Sequence, residues 1–285
     1  MNRRSNRPVL ALCAALASLL ALPSLSAAAE EFALPRPSPL ASVSATVGVT
    51  ELRVDYSSPA VKGRTLFPDV VPFGKVWRAG ANEATRISFS RDATINGHAV
   101  PAGTYGIYFI PAPAAWTFIL SKDSKLWGSD GYAEEHDLLR AAASVSAIPH
   151  RERLAYQLLD VTDDSVALAL EWGTTRVSVP IQVDTKAQVI QLLPALKSDD
   201  WHIYFRAARY LADNQLETAL GIALADKSIQ LKEQWENDWV KAELLAQSGD
   251  KKGALAAAKR ARDEGAKAEG YFPKDVIEKA IAGWK

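Results

Sequence analysis

The sequence predicts two regions of different class. An antiparallel β-sandwich or barrel-like domain is expected over residues 46–184, and an all-α helical-repeat region over 185–285. Three observations carry this. Short runs between Thr46 and Val183 alternate apolar and polar residues with period two, with turn dipeptides between them. After Asp184 proline and glycine thin out, and Ala, Leu, Lys and Glu take over. The second half also echoes itself at a spacing of 35, with Tyr204 and Trp239, Ala207 and Ala242, Asn214 and Gly249, and Ala219 and Ala254 in step. At 285 residues the chain has room for about two domains.

The first 29 residues have the organisation of a secretory signal peptide. Arg3, Arg4 and Arg7 form a basic start, Val9 to Leu22 is apolar, and Ala27-Ala28-Ala29 supplies small residues for cleavage. The apolar run is too short and wrongly flanked for a membrane span. Cys13, the only cysteine, lies in that run without the small residues that precede a lipidated cysteine. The expected mature chain therefore has no disulfide and no cysteine chemistry. The bacterial style of the leader points to the periplasm. Pro35, Pro37 and Pro39 mark residues 30–45 as an extended linker.

Within the β region, Leu52, Val54 and Tyr56 alternate with Arg53, Asp55 and Ser57, and Ile87 and Phe89 with Arg86 and Ser88. Asn96-Gly97 is the strongest hairpin signal, because both residues tolerate positive φ. Pro101-Ala102-Gly103 launches a run in which Tyr105, Ile107 and Phe109 share a face. Trp116, Phe118 and Leu120 follow. Tyr156 to Val161, Val166 to Trp172 and Val177 to Ile181 complete the set. Residues 130–143 read either as a short helix or as a strand, closed by Pro149. From Trp201 to Trp284 the periodicity is helical. An aromatic, a small residue, a turn at Ser248-Gly249-Asp250 and then Ala254 resemble the tetratricopeptide repeat, in which small side chains let two helices approach closely. Only about two repeats fit, so the helices are expected to pack on the β domain or to hold a protein partner.

Charge narrows the function. Removing the three leader arginines from 33 basic residues leaves 30 against 33 acidic ones, net −3. Neither half is polarised, which argues against nucleic acid and anionic membrane surfaces as partners. No phosphate loop, nucleophile elbow or His-Glu-x-x-His motif occurs. His98, His136, His150 and His202 are not spaced as metal ligands. The run Glu134-Glu135-His136-Asp137 reads as a solvated turn. No metal or cofactor is expected.

A longer pattern stands out. Ser57-Ser58-Pro59-Ala60-Val61-Lys62-Gly63-Arg64 precedes Val71-Pro72-Phe73-Gly74-Lys75-Val76-Trp77-Arg78-Ala79-Gly80-Ala81-Asn82-Glu83-Ala84-Thr85. Ile95-Asn96-Gly97, Pro101-Ala102-Gly103-Thr104-Tyr105, Trp127-Gly128 and Gly131-Tyr132 follow. In these motifs residues 46–183 resemble the DUF2911 family of exported bacterial proteins. The resemblance implies a β-rich exported domain and no established activity.

The residues 75–85 concentrate an aromatic, two cations, a carboxylate and an amide in a glycine-containing loop, where function tends to sit. Lys62, Arg64, Lys75 and Arg78 can converge on an anionic group, with Asn82 and Glu83 orienting a polar ligand. Trp77, Trp127 and Tyr132 can supply a stacking face. The structural alternative is an internal cluster in which Arg78 pairs with Glu83 and Trp77 plugs the core. Trp116 and Trp172 read as core. The expected function is a non-enzymatic binding or scaffold role in the envelope, for a small polar ligand or an envelope glycan or peptide. The alternative is a hydrolase using Glu83 with Asp55 or Asp69, or a Ser57–Lys62 pair.

Overall fold

A computed structural model of the chain describes residues 34–270 and 272–284. The expected signal peptide lies outside the described residues. Residues 34–37 are the described part of a first unit that ends at Pro37, and Ser38 onward forms a single compact unit.

That unit begins with an open nine-stranded antiparallel sheet. Its strands are β1 (Leu40–Val47), β2 (Thr50–Ser57), β3 (Thr85–Phe89), β4 (Ala93–Ile95), β5 (His98–Val100), β6 (Gly103–Ile110), β7 (Trp116–Ser121), β8 (Asp137–Leu159) and β9 (Ser165–Gln182). They lie in the order β1-β2-β3-β6-β7-β8-β9-β4-β5. One strand was hidden in the sequence. The linker expected over 30–45 gives way at Leu40 to β1, which pairs with β2 along its whole length, from Leu40 opposite Ser57 to Val47 opposite Thr50. Ala41 and Val43 pack on the core while Leu40, Ser42 and Ser44 face out. Such small residues bury little surface, so the period was faint.

Of residues 130–143, which read as helix or strand, 137–143 is strand, and Glu134–His136 before it is a single 3-10 turn. β8 runs through Pro149 instead of ending there, and its pairing with β9 shifts register between Ala147 and Arg151. Proline lacks an N–H for the ladder and is accommodated where pairing is already broken. The Asn96-Gly97 turn joins β4 to β5 with both residues at positive φ, as expected.

Period two decides the core. Leu52, Val54 and Tyr56 of β2, Ile87 and Phe89 of β3, Ile107 and Phe109 of β6, and Leu168, Leu170 and Trp172 of β9 belong to one buried cluster. The sheet folds over so that strands from its two halves meet. The Tyr56 and Tyr156 rings, from β2 and β8, lie 5.0 Å apart. Trp77, Trp116, Trp172 and Phe67 form an aromatic centre, with Trp77 stacked on Trp172 at 6.0 Å. Phe67 precedes Pro68 through a cis peptide in the irregular turn Leu66–Val70.

Six helices follow: α1 (Thr185–Leu192), α2 (Trp201–Asn214), α3 (Thr218–Leu231), α4 (Trp235–Gln247), α5 (Lys251–Gly265) and α6 (Lys274–Gly283). Asp184, Asp200 and Asp250 cap α1, α2 and α5 by accepting from Ala187, His202 and Gly253 amides. α1 ties the helices to the sheet. Buried Gln188 accepts from Thr50 Oγ1 at 2.7 Å and donates to the Asp92 carbonyl at 2.7 Å. α2 packs on α3 and on α4, and α4 on α5. The buried small residues sit at Gly221 and Ala225 in α3 and at Ala254 and Ala258 in α5. This shifts the expected pairing of Ala219 with Ala254 by two positions, because α3 starts later in its repeat than α5. At Gly221 an added Cβ would lie 2.8 Å from Leu244, so that crossing needs glycine. No helix among the described residues is long and apolar enough to cross a membrane.

Candidate ligand-binding site

The sheet face opposite the core carries the site. On β2 the core takes Leu52, Val54 and Tyr56, so Arg53, Asp55 and Ser57 point outward. β3 sends Arg86 and Ser88 to the same face, with Asp55 directly opposite Arg86. β6 and β7 send Tyr108 and Ile119 outward, where they form a small second core with Ala84, Val76, Leu126 and Tyr132. The loop 122–136 lies over that second core.

Residues 75–85 straddle the two faces. Trp77 exchanges both backbone hydrogen bonds with Phe109, at 2.8 and 2.9 Å, and extends the sheet beyond β3. Alternation then sends Trp77 into the main core and Val76 to the outer one, with Arg78 on the outer side against Gly128. The chain next makes a tight loop. Ala79 and Asn82 take left-handed conformations, at φ 57 and 56. The Ala79 carbonyl is held by Thr85 Oγ1 and by the buried Tyr156 hydroxyl, each at 3.0 Å. Gly80 packs so closely that an added Cβ would lie 2.8 Å from Thr85 Oγ1 and 3.2 Å from the Ser57 carbonyl. Asn82 Nδ2 donates to the Ser38 carbonyl and to Ser57 Oγ, each at 3.3 Å. Ser57 Oγ in turn donates to Glu83 Oε2 at 3.4 Å. The Ala84 amide donates to the Leu126 carbonyl at 3.0 Å, and Glu83 bridges Trp127, so the loop 122–136 is stitched to this segment.

Beside this stitch lies a cavity of about 320 Å³ lined by Leu40, Asp55, Tyr56, Ser57, Glu83, Ala84, Arg86, Ser124, Lys125 and Leu126. Both signs of charge line it. Asp55 is held by Arg53 at 2.8 Å and by Arg86 at 3.9 Å. Two large apolar side chains stand exposed nearby: Leu40 in the wall, 65% exposed, and Trp127 next to Leu126, 63% exposed.

The predicted site residues thus divide. Glu83, Arg78 and Trp127 are gathered on the outer face along the 126–128 segment and Asn82 is turned to Ser38 and Ser57, but only Glu83 of the four lines the cavity. Trp77 belongs to the aromatic centre, at 9% exposure, and offers no face to a ligand. Tyr132 donates to Asp137 at 2.7 Å and accepts from Arg140 at 2.8 Å, while its ring packs 5.1 Å from Tyr108. Burial, and then the Asp137 hydrogen bond, push its phenol up to about 12. Lys62 and Arg64 lie elsewhere. The Lys62 amide binds Glu152, and Arg64 donates to the Val61 and Ala60 carbonyls beside a separate crevice near His150 and Gly173. Lys75 is exposed and does not line the cavity. The internal clasp also fails to form: Arg78 Nε is buried without a hydrogen-bond partner among the described residues, and Glu83 is turned to Ser57. Asp69, in the exposed turn before β3, is not in the cavity wall.

Reading the sequence missed Leu40, Arg86, Ser124 and Lys125. The outward half of the alternation at residues 85–89 was the signal for Arg86. Leu40 was masked by the linker assignment, and nothing local marks Ser124 or Lys125. The Glu134–Asp137 run divides between two partners: Glu134 and Asp137 share Arg140, at 3.0 and 2.7 Å, and His136 pairs with Asp123 at 2.5 Å. Asp123 raises the His136 pKa through their hydrogen bond. No group of three or more His, Cys, Asp or Glu able to hold a metal ion occurs among the described residues.

Fold and site together define a β-sheet module with an outward-facing polar cavity and a docked helical region. The chain belongs to the family described as protein of unknown function (DUF2911), whose model matches residues 38–181. That span runs from the start of β1 to the end of β9 and contains every cavity residue. No curated protein and no solved structure matches the chain.

Proposed function

We propose that this is an exported binding module of the bacterial envelope, which takes a small polar ligand, a glycan or peptide fragment, in the cavity of about 320 Å³. One observation carries the reading. Segments 55–57, 83–86 and 124–126, far apart in sequence, converge on one concave surface that joins charged and apolar side chains, with exposed Leu40 in its wall. The leader-like first 29 residues support export to the periplasm. The helices supply a short tetratricopeptide-like array, supported by α2 packing on both α3 and α4 and by the small residues at the helix crossings. Its role is to brace the β region through α1.

The test is a thermal-shift screen of the chain lacking residues 1–29 against envelope glycans, short peptides and metal ions. Two variants accompany it, Glu83→Gln and the cavity-filling Ser124→Trp. A stabilising hit abolished by Ser124→Trp supports the reading. A saturable hit indifferent to both variants places the ligand elsewhere and overturns it.

A second reading rests on Asp55 and Glu83 sharing the cavity wall. In a glycan hydrolase two carboxyl groups flank the scissile bond, one as acid and one as base or nucleophile. Asp55, beside Arg53 and Arg86, and Glu83 would be that pair, with Glu83 as the acid/base. Release of reducing ends from an envelope glycan, lost in Glu83→Gln with ligand binding retained, would establish it. Binding without turnover in the native protein removes it.

A further inference from the structure

Arg78 stands apart from the other partly buried arginines of the β region. Arg140 is paired with Asp137 and Glu134, Arg151 and Arg176 with Glu171, and Arg91 donates to the Val49 carbonyl. Arg78 is half-buried, and its Nε is shielded from water with no hydrogen-bond partner among the described residues. A buried donor left unsatisfied costs about 1–3 kcal/mol. The side chain is also held in place. It crosses the backbone of Gly128, where an added Cβ would lie 3.4 Å from Nη1 and 3.8 Å from Cδ. Gly128 itself sits at φ +72. The fold thus positions a guanidinium and withholds its counter-ion, although a carboxylate, Glu83, lies five residues away in the same loop.

We infer that Arg78, which lies beside the cavity wall and not in it, anchors a carboxylate of a ligand that extends over the 127–128 segment, its body against the exposed indole of Trp127. This rests on the reading of the outer face as a ligand site. The two terminal nitrogens of the planar guanidinium offer a fork of N–H donors that matches the two oxygens of one carboxylate, with the shielded Nε outside the contact. A phosphate dianion would leave one charge unmatched. Trp127, adjacent to Gly128 and 63% exposed, supplies an apolar face at the same place. The carboxylate can come from an acidic sugar or from the C-terminus of a peptide, since both present the same planar anion.

The experiment has a binding arm and a stability arm. Binding to the chain lacking residues 1–29 is measured by calorimetry or chemical-shift perturbation. The probes are glucuronic acid against glucose, and alanyl-alanine against its C-terminal amide. Native protein is expected to prefer the acid of one pair by at least about tenfold, in keeping with a charge-assisted hydrogen-bond pair. Arg78→Met is expected to erase the preference and Arg78→Lys to keep part of it. The pair that shows the preference identifies the source as glycan or peptide.

In the stability arm, Arg78→Met replaces an unsatisfied cation by an apolar side chain of similar length. Its melting temperature without ligand is expected to equal or exceed the native value. A loss of several degrees would mean that Arg78 serves packing, and would overturn the inference whatever the cavity binds. Equal binding of acid and neutral probes, or a preference that survives in Arg78→Met, overturns it and leaves the cavity reading standing. Absence of binding by all four probes, together with no hit in the wider screen, removes both.

Discussion

Trp77 and Arg78 are neighbours in the chain and point to opposite faces of the sheet. Both stood out in the sequence for the same reason, a large functional-looking side chain in a glycine-containing loop. The pleat separates them: Trp77 stacks on Trp172 at 6.0 Å, and Arg78 lies over Gly128. Trp77→Ala should therefore act on stability. It removes a buried indole from a centre shared with Phe67, Trp116 and Trp172, at a cost of about 3–5 kcal/mol read as a shift in the urea midpoint. An unchanged midpoint would contradict the core assignment. Gly80→Ala should cost about 1–3 kcal/mol, because the new methyl meets Thr85 Oγ1 and the Ser57 carbonyl. It should also displace Asn82 and Glu83 from Ser57, so ligand binding falls more than stability predicts. That is checked by comparing the affinity with the fraction folded at one temperature.

Among the elements, the helical region holds the most consequential polar groups. Asn237 is fully buried at the start of α4, where its amide reaches Ser228 Oγ at 3.1 Å and the Lys232 carbonyl at 2.8 Å. It locks α3 to α4, and Asn237→Ala should cost about 1–3 kcal/mol in a denaturation series. Asp238 is also fully buried and pairs with Arg260 at 2.8 Å. Burial outweighs that pairing and raises its pKa to about 6 from 3.8. The folded state then holds this proton at pH values where the unfolded chain has lost it. Stability should fall as pH rises from about 4 through about 6, by roughly 1–3 kcal/mol. Asp238→Asn should flatten that slope. Melting temperatures of both proteins between pH 4 and pH 7.5 test this, and parallel slopes would reject it.

For the whole molecule, the joint between sheet and helices rests on Gln188, which binds Thr50 on one side and the Asp92 carbonyl on the other. Ser38 onward is one compact unit, so a single calorimetric transition is expected. Gln188→Ala leaves the buried Thr50 hydroxyl without its acceptor and the Asp92 carbonyl without its donor. It should lower the melting temperature by a few degrees, at about 2–4 °C per kcal/mol for a chain of this size. Two resolved transitions in the native protein would show instead that the regions fold independently.

Class and order of elements were legible in the residues. Leu52-Val54-Tyr56 and Tyr105-Ile107-Phe109 declare strands because each set lines one face of the main core at period two. Asn96-Gly97 declares a hairpin through its own backbone freedom, and the turn to Ala, Leu, Lys and Glu after Asp184 declares helices. β1 was not legible, because alanine and serine carry too little hydrophobic contrast. The part of the site on 78–83 was visible as unusual local chemistry. The part on Leu40, Arg86, Ser124 and Lys125 was not, because its residues become neighbours only through β1–β2–β3 pairing and the return of the loop 122–136. Local pattern determined which residues face a core and which face out. Only the tertiary structure decided that Glu83 accepts from Ser57 and that Arg78 Nε has no hydrogen-bond partner among the described residues, because that choice depends on where Gly128 and Ser57 lie, and neither adjoins this loop in sequence.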